Sequence, residues 1–380
     1  MNFVQNPPGV WAWIVGDAPA VRDTLAKFRW ESPAVVLKIV ESVLRGIAQV
    51  VFVNNPLSGL LILIGLFLSD VSCGLGAVVC SLVAVFVAKL LNMPEPNIEA
   101  GLTNFSAVLV GTVTPALYPI FFHQPLSPPV WGYMVVAAAF SVCLSGGLGK
   151  ILGVHNIPSY TLPFNVANAM IFIGMRAAGY GANPATTDNL QQLVTDVEWN
   201  RVWLGTLLSA GQVWAVENVC CSVLVVVASF ICSPLLTLVT YTGGAIATFT
   251  ALLVSSAPYE LVYAGVWGYN GFLSAGSIAF FMVITPRTLL LALINVVFTT
   301  FLQATLAPVF SLTQLPVFTM PFVLSSIIFL ALATSLGPTS LRVASPSFPE
   351  QHLMLYVQRP TIDDEARGKD TYEGTEMPIV

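Results

Sequence analysis

The chain has 380 residues, of which 56% are hydrophobic and 9% are charged, and its formal net charge is −5. A typical soluble domain carries about 25% charged residues, so this chain has too few to cover a soluble surface. The composition predicts a polytopic helical membrane protein, and the long apolar runs argue against a β-barrel, whose strands alternate over short segments.

No catalytic or cofactor-binding pattern accompanies this composition. The chain has three histidines and six cysteines, and no CxxC, HExxH, GxSxG or Walker sequence. The cysteines lie among apolar residues, which favours small core side chains over metal ligands or disulfides. We therefore expect no enzyme activity, no cofactor, no metal site and no nucleic-acid partner.

The first 32 residues mix tryptophan, proline and charged side chains, which predicts a segment outside the apolar core. They lack the basic start and apolar centre of a cleaved signal. Basic residues continue at Lys38 and Arg45. This positive charge ahead of the first apolar break predicts a cytoplasmic N-terminus.

Residues 44–63 are largely apolar but are interrupted by Asn54-Asn55-Pro56. Pro56 cannot donate a backbone hydrogen bond, and it biases Asn55 away from helical geometry. Lipid tolerates such a break only where protein groups or a water-lined cavity satisfy the freed backbone. Together with the amide of Gln49, the break predicts either a polar path through the membrane or a kinked helix packed against its neighbours.

Charge is absent over residues 101–149, a length of about two membrane crossings and a shorter element. We interpret residues 103–118 as a re-entrant half-helix with a neighbouring span. The segment that follows carries Pro158 and Pro163 on either side of Thr161. These prolines predict a second interrupted apolar segment.

After a polar connection the pattern restarts about 160 residues further on. Gln49 corresponds to Gln212, Gly101 corresponds to Gly265, and the sequence PSYTLPF matches PVFTMPF. The restart predicts five segments: a cytoplasmic N-terminal segment 1–32, a first transmembrane repeat 33–175, a linker 176–201, a second transmembrane repeat 202–341 and a cytoplasmic C-terminal tail 342–380.

Repeated halves with interrupted apolar segments in matching places are typical of transporters, whose solute site lies between the halves near the bilayer midplane. We count about five full spans and one re-entrant pair in each half. An odd number of spans makes the second half enter from the opposite side. The predicted fold is an all-α membrane protein with two inverted halves, about ten transmembrane helices and two re-entrant helix pairs around a central pore.

Four uncharged polar residues recur in register: Gln49, Thr161, Gln212 and Thr319. Their amide and hydroxyl oxygens suit a neutral, hydrogen-bonding solute better than an ion, which needs charged rings or carbonyl cages. Phe52 shares a helical face with Gln49, so its ring would hold a planar molecule beside the amide. The alternative is that these side chains only join helices together.

Two acidic residues lie close to apolar segments and are functional candidates for that reason. Glu260 follows a loop sequence, which favours a structural or capping role. Glu217 corresponds to Asn54 in the first half, and this mismatch argues against a symmetric proton relay.

The chain resembles the urea transporter family in four segments spread over both halves: QVVFVNNPLSGLLILIGL, SYTLPFNVANAM, SSAPYELVYAGVWGYN and LPVFTMPF. The resemblance implies passive, channel-like passage of urea down its gradient. It also implies a homotrimer, surrounded by lipid in the plasma membrane, in which each protomer has its own pore of ten spanning helices and two re-entrant pairs.

The resemblance further implies which side chains line the pore. Two amides would bind urea, two hydroxyls would form the constriction, and an aromatic ring and apolar side chains would complete the lining. In this sequence those residues are Gln49, Gln212, Thr161, Thr319, Phe52, Leu102 and Val266.

Several positions depart from the family pattern. Ala215 provides no ring to mirror Phe52, Val266 replaces the usual leucine, and Glu217-Asn218-Val219 stands where an Asn-Pro pair is common. The first-half loop reads GLTNFS instead of a Gly-aromatic-Asn sequence. These departures leave open another small neutral solute such as ammonia, water or a short amide, an ion-coupled transporter, or a non-conducting scaffold.

Overall fold

The computed structural model describes residues 9–181, 196–255, 258–335, 341–343 and 345–358, with residues 334 and 335 described in backbone only. The middle of the predicted linker and the end of the predicted tail lie outside these residues. Within the described ranges the chain is helical, and the β-structure there is one isolated bridge between Met282 and Arg342.

Two runs of seven helices follow one another in the described residues. A 3-10 helix (Gly9–Trp13) and α1 (Pro19–Leu25) precede the first run, and α16 (Pro349–Val357) follows the second. The first run is α2 (Val35–Gln49), α3 (Pro56–Ser69), α4 (Val71–Leu90), α5 (Glu95–Glu99), α6 (Phe105–Phe122), α7 (Pro128–Gly153) and α8 (Leu162–Ala177). The second run is α9 (Trp199–Gln212), α10 (Val219–Cys232), α11 (Pro234–Val254), α12 (Glu260–Tyr263), α13 (Tyr269–Phe281), α14 (Pro286–Leu312) and α15 (Met320–Ser335).

Left-handed backbone recurs at matching places in the two runs. Phe52 and Ala215 have φ values of 64° and 60°, and Tyr160 and Phe318 have values of 47° and 48°. Residues with side chains adopt positive φ infrequently, so paired occurrences at the repeat spacing are informative. The two halves therefore share the same backbone course at their interruptions as well as the same sequence pattern.

The interruption predicted at Asn54-Asn55-Pro56 is confirmed. Helix α2 ends at Gln49 and α3 begins at Pro56, whose missing N–H is not needed in the first turn. The Asn55 side chain accepts hydrogen bonds from the backbone N–H groups of Leu57 (2.8 Å) and Ser58 (3.2 Å). Because Asn55 caps the new helix, the polar break is satisfied within the protein.

The equivalent helices α3 and α10 pack against each other in opposite directions. The Ser58 hydroxyl, near the start of α3, donates to the carbonyl oxygen of Ala228, near the end of α10 (2.6 Å). Gly65, further along α3, faces Cys221 near the start of α10. Small side chains at this contact let the two backbones approach closely, as is common between helices in membranes.

Five described helices are long and apolar enough to cross a membrane: Val71–Leu90, Phe105–Phe122, Pro128–Gly153, Pro234–Val254 and Pro286–Leu312. Shorter apolar helices occupy Pro56–Ser69, Val219–Cys232 and Met320–Ala333. The prediction of a helical membrane protein is confirmed at this level.

Three sequence interpretations need correction. Phe52 does not share a helical face with Gln49, because α2 ends at Gln49 and Phe52 has left-handed backbone. The stretch interpreted as a re-entrant half-helix with a neighbouring span is one continuous helix, Phe105–Phe122, which contains both Pro115 and Pro119. A proline inside a helix leaves a backbone carbonyl without its hydrogen bond, and neighbouring helices in a membrane protein can satisfy that group. The two prolines therefore do not end this helix. The predicted linker is also too long at both margins, because helices end at Ala177 and begin at Trp199.

Ion pairs attach the short helices α5 and α12 to the bundle. Lys38 on α2 contacts Glu99 at 2.7 Å, and Arg201 on α9 contacts Glu260 at 2.5 Å. Lys38 and Arg201 correspond in the repeat. The structural role that the sequence favoured for Glu260 is consistent with this exposed pair.

The N-terminal segment is held by a buried cation. Arg45 pairs with Glu41 one turn earlier on α2 (2.8 Å), and both side chains are almost fully buried. The same guanidinium donates to the backbone carbonyl of Asp17 (2.9 Å) and to the side chain of Asn54 (3.0 Å). Removing one member of such a group would leave an uncompensated buried charge.

The C-terminal helix α16 docks on the start of α11. Glu350 accepts hydrogen bonds from the Ser233 hydroxyl (2.6 Å) and the Leu235 N–H (2.7 Å), where a carboxylate also complements the helix dipole. The backbone N–H of Ser347 donates to Nε2 of His352 (2.8 Å), and burial lowers the pKa of this imidazole from 6.5 to about 4.

The first prediction concerns a contact at which the glycine and the larger residue trade places between the two halves. A Cβ at Gly46 would overlap the side chain of Asn104, whereas at the equivalent contact Ser209 faces Gly268. We expect Gly46→Ser to destabilise the protein by about 1–3 kcal/mol through overpacking. Adding Asn104→Gly recreates the second-half pair and should recover part of the loss in thermal unfolding monitored by tryptophan fluorescence. A double variant as unstable as the sum of the two single variants would contradict this.

The second prediction concerns pH. His352 is neutral in the docked segment, so between pH 6.5 and about 4 the undocked segment binds more protons and docking weakens as the pH falls. Above pH 6.5 no such dependence is expected. Hydrogen exchange of residues 345–358, corrected for intrinsic rates, should therefore rise toward pH 4. A His352→Gln variant should lack this pH dependence, and equal pH responses in the two proteins would refute the assignment.

Candidate functional site

A cavity of about 890 Å³ lies between the two halves and is called the vestibule here. Its walls come from both runs of helices and from the second-half interruptions. Residues that matter for its chemistry include Gln212, Ala215, Val266, Phe318 and Thr319.

The two glutamines are oriented in the same way. Nε2 of Gln212 donates to the carbonyl oxygen of Ala264 (2.9 Å), and Nε2 of Gln49 donates to the carbonyl oxygen of Ala100 (3.0 Å). Each bond fixes which side of the amide is the donor. In the described structure neither Oε1 has a recorded hydrogen bond to protein, so both oxygens remain acceptors for another molecule.

Glycine makes these two anchors possible. Gly101 and Gly265, directly after the accepting carbonyls, have φ values of 71° and 80°. A Cβ at Gly101 would overlap the backbone of α2, and one at Gly265 would lie 2.7 Å from the N atom of Ser209. Any other residue would be strained and would push the loop away from the glutamine.

The two predicted hydroxyls meet directly. Oγ1 of Thr161 and Oγ1 of Thr319 are 2.6 Å apart, and the residues are 3% and 2% exposed. Each threonine precedes the first residue of a helix, α8 or α15, and follows a residue with left-handed backbone. The structure thus brings equivalent residues of the two halves into contact with each other.

Asn165 completes this contact, and the sequence analysis missed it. Its Nδ2 donates to the Thr161 carbonyl and to Oγ1 of Thr319 (both 2.8 Å), while its Oδ1 accepts from the Thr319 N–H (3.1 Å). Thr319 Oγ1 accepts from Asn165, and either of the two threonine hydroxyls can donate to the other. The corresponding second-half residue is Val323, so the arrangement is asymmetric. An asparagine four residues after Thr161 in an apolar run was the available signal.

Phe52 belongs to a cluster of aromatic rings that come from both halves. Its ring centroid lies 5.5 Å from that of Phe280, 6.2 Å from Phe322 and 6.4 Å from Tyr160. Tyr160 and Phe322 are also in edge contact at 5.1 Å. Edge-to-face rings at these distances pack favourably, so the half-buried Phe52 is held in place.

The two apolar candidates differ in position. Val266 lines the vestibule, and its carbonyl oxygen accepts from Nε2 of Gln303 (2.9 Å). Leu102 is 45% exposed and does not line the vestibule. Gln49, Phe52 and Thr161 also lie outside its lining, so of the candidates the vestibule is lined only by the second-half residues Gln212, Val266 and Thr319.

Charged residues are also present in the vestibule, although the recurring candidates are uncharged. Arg176 donates to the carbonyl oxygens of Phe121 (2.8 Å) and Gln314 (3.3 Å). Glu217 is exposed and, among the described residues, has no recorded ion pair or hydrogen bond. His123 lies in the same wall. The sequence did not predict this arginine, because its position depends on how the halves pack.

Fold and site together define an integral membrane protein with repeated halves that meet at a buried polar contact. The family description "Urea transporter" matches residues 40–334. Urea transporter 1 from Ovis aries is 34% identical over 337 residues, which cover 85% of this chain and 84% of that relative. Urea transporter 1 from Mus musculus is 31% identical over 337 residues, 85% of each chain. The chain belongs to the urea transporter family.

The third prediction tests the coupling at the threonine contact. Asn165→Val leaves the buried Thr319 N–H without its acceptor and should destabilise the protein by about 1–3 kcal/mol. Thr319→Val removes the hydroxyl that Asn165 also binds, so the two substitutions should be non-additive by at least about 0.5 kcal/mol. Thermal unfolding of the two single variants and the double variant measures this coupling. Strict additivity would contradict the shared hydrogen bonds.

Proposed function

We propose that this protein conducts urea passively, down its concentration gradient, through a narrow pore between its halves. The observation that carries the proposal is the buried contact of Thr161 with Thr319, because Thr319 and Gln212 both line the cavity between the halves. Family membership and the names of the relatives, all urea transporters, support the solute.

The chemistry of the lining fits a neutral planar molecule with four N–H donors. The free oxygens of Gln49 and Gln212 would accept from the solute on the two sides of the threonine contact. Uncharged acceptors replace part of the water shell without binding tightly, which fast conduction requires. The ring of Phe52 would pack on the planar face of the solute on the first-half side.

Passage requires the two hydroxyls, 2.6 Å apart at rest, to separate. Urea has both N–H donors and a carbonyl acceptor, so it can bond to Thr161 and Thr319 while they are apart. The transient loss of one hydrogen bond is then offset by new ones to the solute. A solute that lacks such groups would leave two buried hydroxyls unsatisfied, which is unfavourable.

We also propose that the halves are inverted, with ten transmembrane helices and two re-entrant pairs. The opposite directions of α3 and α10 support this, because equivalent helices packed antiparallel imply a two-fold axis across them. Residues that lie on a two-fold axis contact their own counterparts, and Thr161 contacts its counterpart Thr319. An even number of spans would put both termini on one side, which we propose is cytoplasmic.

The assembly proposed from the family resemblance is a homotrimer in the plasma membrane, each protomer with its own pore and lipid around it. Many large apolar side chains are exposed on the bundle surface, including Leu68, Phe86 and Leu253. Such faces require lipid or neighbouring protomers. We also keep the division of the chain into two terminal segments, two transmembrane repeats and a linker, with the linker shortened to the residues between α8 and α9.

The fourth prediction measures the role of the hydroxyls. Thr319→Val and Thr161→Val should each slow urea efflux from proteoliposomes about threefold to tenfold, the equivalent of one net hydrogen bond. Thr305→Val is a matched control, because that exposed hydroxyl bonds only to the Phe301 carbonyl among the contacts recorded for it. Stopped-flow light scattering gives the rates. Unchanged rates in both pore variants with intact assembly would count against the proposal.

One observation favours a second candidate function, transport coupled to ions or protons: Glu217 lines the vestibule without a recorded partner in the described structure. The passive proposal expects urea never to exceed its external concentration, with or without imposed proton or sodium gradients. Glu217→Gln should preserve equilibration of urea. Accumulation against a gradient that this substitution abolishes would establish the coupled alternative.

A further inference from the structure

The chain reaches each of the two threonines through a loop with the same backbone geometry. The loop between α7 and α8 leads to Thr161, and the loop between α14 and α15 leads to Thr319. Asn156 and Gln314 lie near the start of these loops, and both have a φ value of 54°. Their carbonyl oxygens lie just past the end of a helix, where the helix dipole favours a positively charged donor.

An arginine from the opposite half supplies that donor in both loops. The guanidinium of Arg342, which follows α15 in the chain, donates to the carbonyl oxygen of Asn156. The guanidinium of Arg176, on α8, donates to the carbonyl oxygen of Gln314 (3.3 Å). The two arginines are not equivalent in the repeat, because one lies within α8 and the other lies beyond α15. Two unrelated sequence positions therefore make the same contact.

Each arginine is also attached to its own half. The backbone beside Arg342 pairs with the end of α13, where the Val343 N–H donates to the carbonyl oxygen of Phe281 (3.0 Å). The Arg176 guanidinium donates to the carbonyl oxygen of Phe121 at the end of α6 (2.8 Å). Helices α6 and α13 are equivalent in the two runs. Each arginine thus connects the end of this helix in its own half to the threonine loop of the other half.

We infer that Arg176 and Arg342 are positioning residues that set how often the contact of Thr161 with Thr319 opens, and thereby how fast urea passes. The inference rests on the proposed function, in which the two hydroxyls separate around the solute. While both arginines are bonded, each threonine loop is tied to the opposite half and resists this separation. Loss of one tie removes a hydrogen bond that opening would otherwise have to break, so the open state becomes more populated.

The first test measures opening without urea, through a cysteine placed at the contact. Thr161 is 3% exposed, so in a Thr161→Cys protein methyl methanethiosulfonate reaches the thiol when the contact opens. The exposed Cys143 and Cys220 are replaced by serine, and the same protein without the reporter gives the background. Adding Arg176→Met or Arg342→Met should speed modification about threefold to tenfold, the equivalent of one net hydrogen bond.

Two kinds of control keep this test specific. Arg29→Met removes an exposed arginine that pairs with Glu31, and it should leave the modification rate unchanged. Arg176→Lys and Arg342→Lys retain a cationic donor and should give smaller increases than the methionine variants. They also provide the measurement if a methionine variant does not fold. Modification as slow in the folded arginine variants as in the reporter protein overturns the inference, as does an equal increase in Arg29→Met.

Urea efflux from proteoliposomes separates this inference from the proposed function. In the protein without the reporter cysteine, Arg176→Met and Arg342→Met should each accelerate efflux, whereas Arg29→Met should not. Faster modification with wild-type efflux rates overturns the claim that this opening limits passage. Faster modification with no urea efflux in any protein, wild type included, leaves the two ties standing and refutes urea conduction.

Discussion

The hydrogen bond between Thr161 and Thr319 is the constraint on which the meeting of the two halves depends. Both hydroxyls are buried, and a buried hydroxyl without a partner costs about 1–3 kcal/mol. The halves can close against each other without water at this point because each provides the other's partner. Asn165 adds two bonds to Thr319 and makes the closed arrangement specific. The contact of the two threonines is therefore a structural joint between the halves.

The two glutamines bond to loop backbone, whereas the two threonines bond to each other. The donor side of each amide is bound to a loop carbonyl, and each loop can approach because a glycine follows that carbonyl. The acceptor oxygens are thus fixed before any solute arrives, and little ordering is needed on binding. In the proposed pore, fixed acceptors would lie on both sides of a joint that must open. In that proposal, weak binding and selectivity for N–H donors would both follow from this arrangement.

Local chemistry explains which features the sequence could predict. The break at Asn54-Asn55-Pro56 and the threonine between two prolines depend on residues that act on their own backbone, so they were found. The role of Asn165 was missed because its partner Thr319 is 154 residues away. The continuity of Phe105–Phe122 through two prolines, and the vestibule itself, depend on how separate helices pack. Sequence patterns at one position do not contain that information.

The two halves differ at corresponding positions, with Ala215 in place of Phe52, Val323 in place of Asn165 and Glu217 in place of Asn54. This asymmetry cannot by itself give urea a preferred direction. Without an energy source, the free energy of the solute is the same along the path in both directions, so equal concentrations give equal opposing fluxes. What asymmetry can change is the height and position of the barriers, and which larger molecules can enter from one side. Divergence at these positions is therefore compatible with passive conduction.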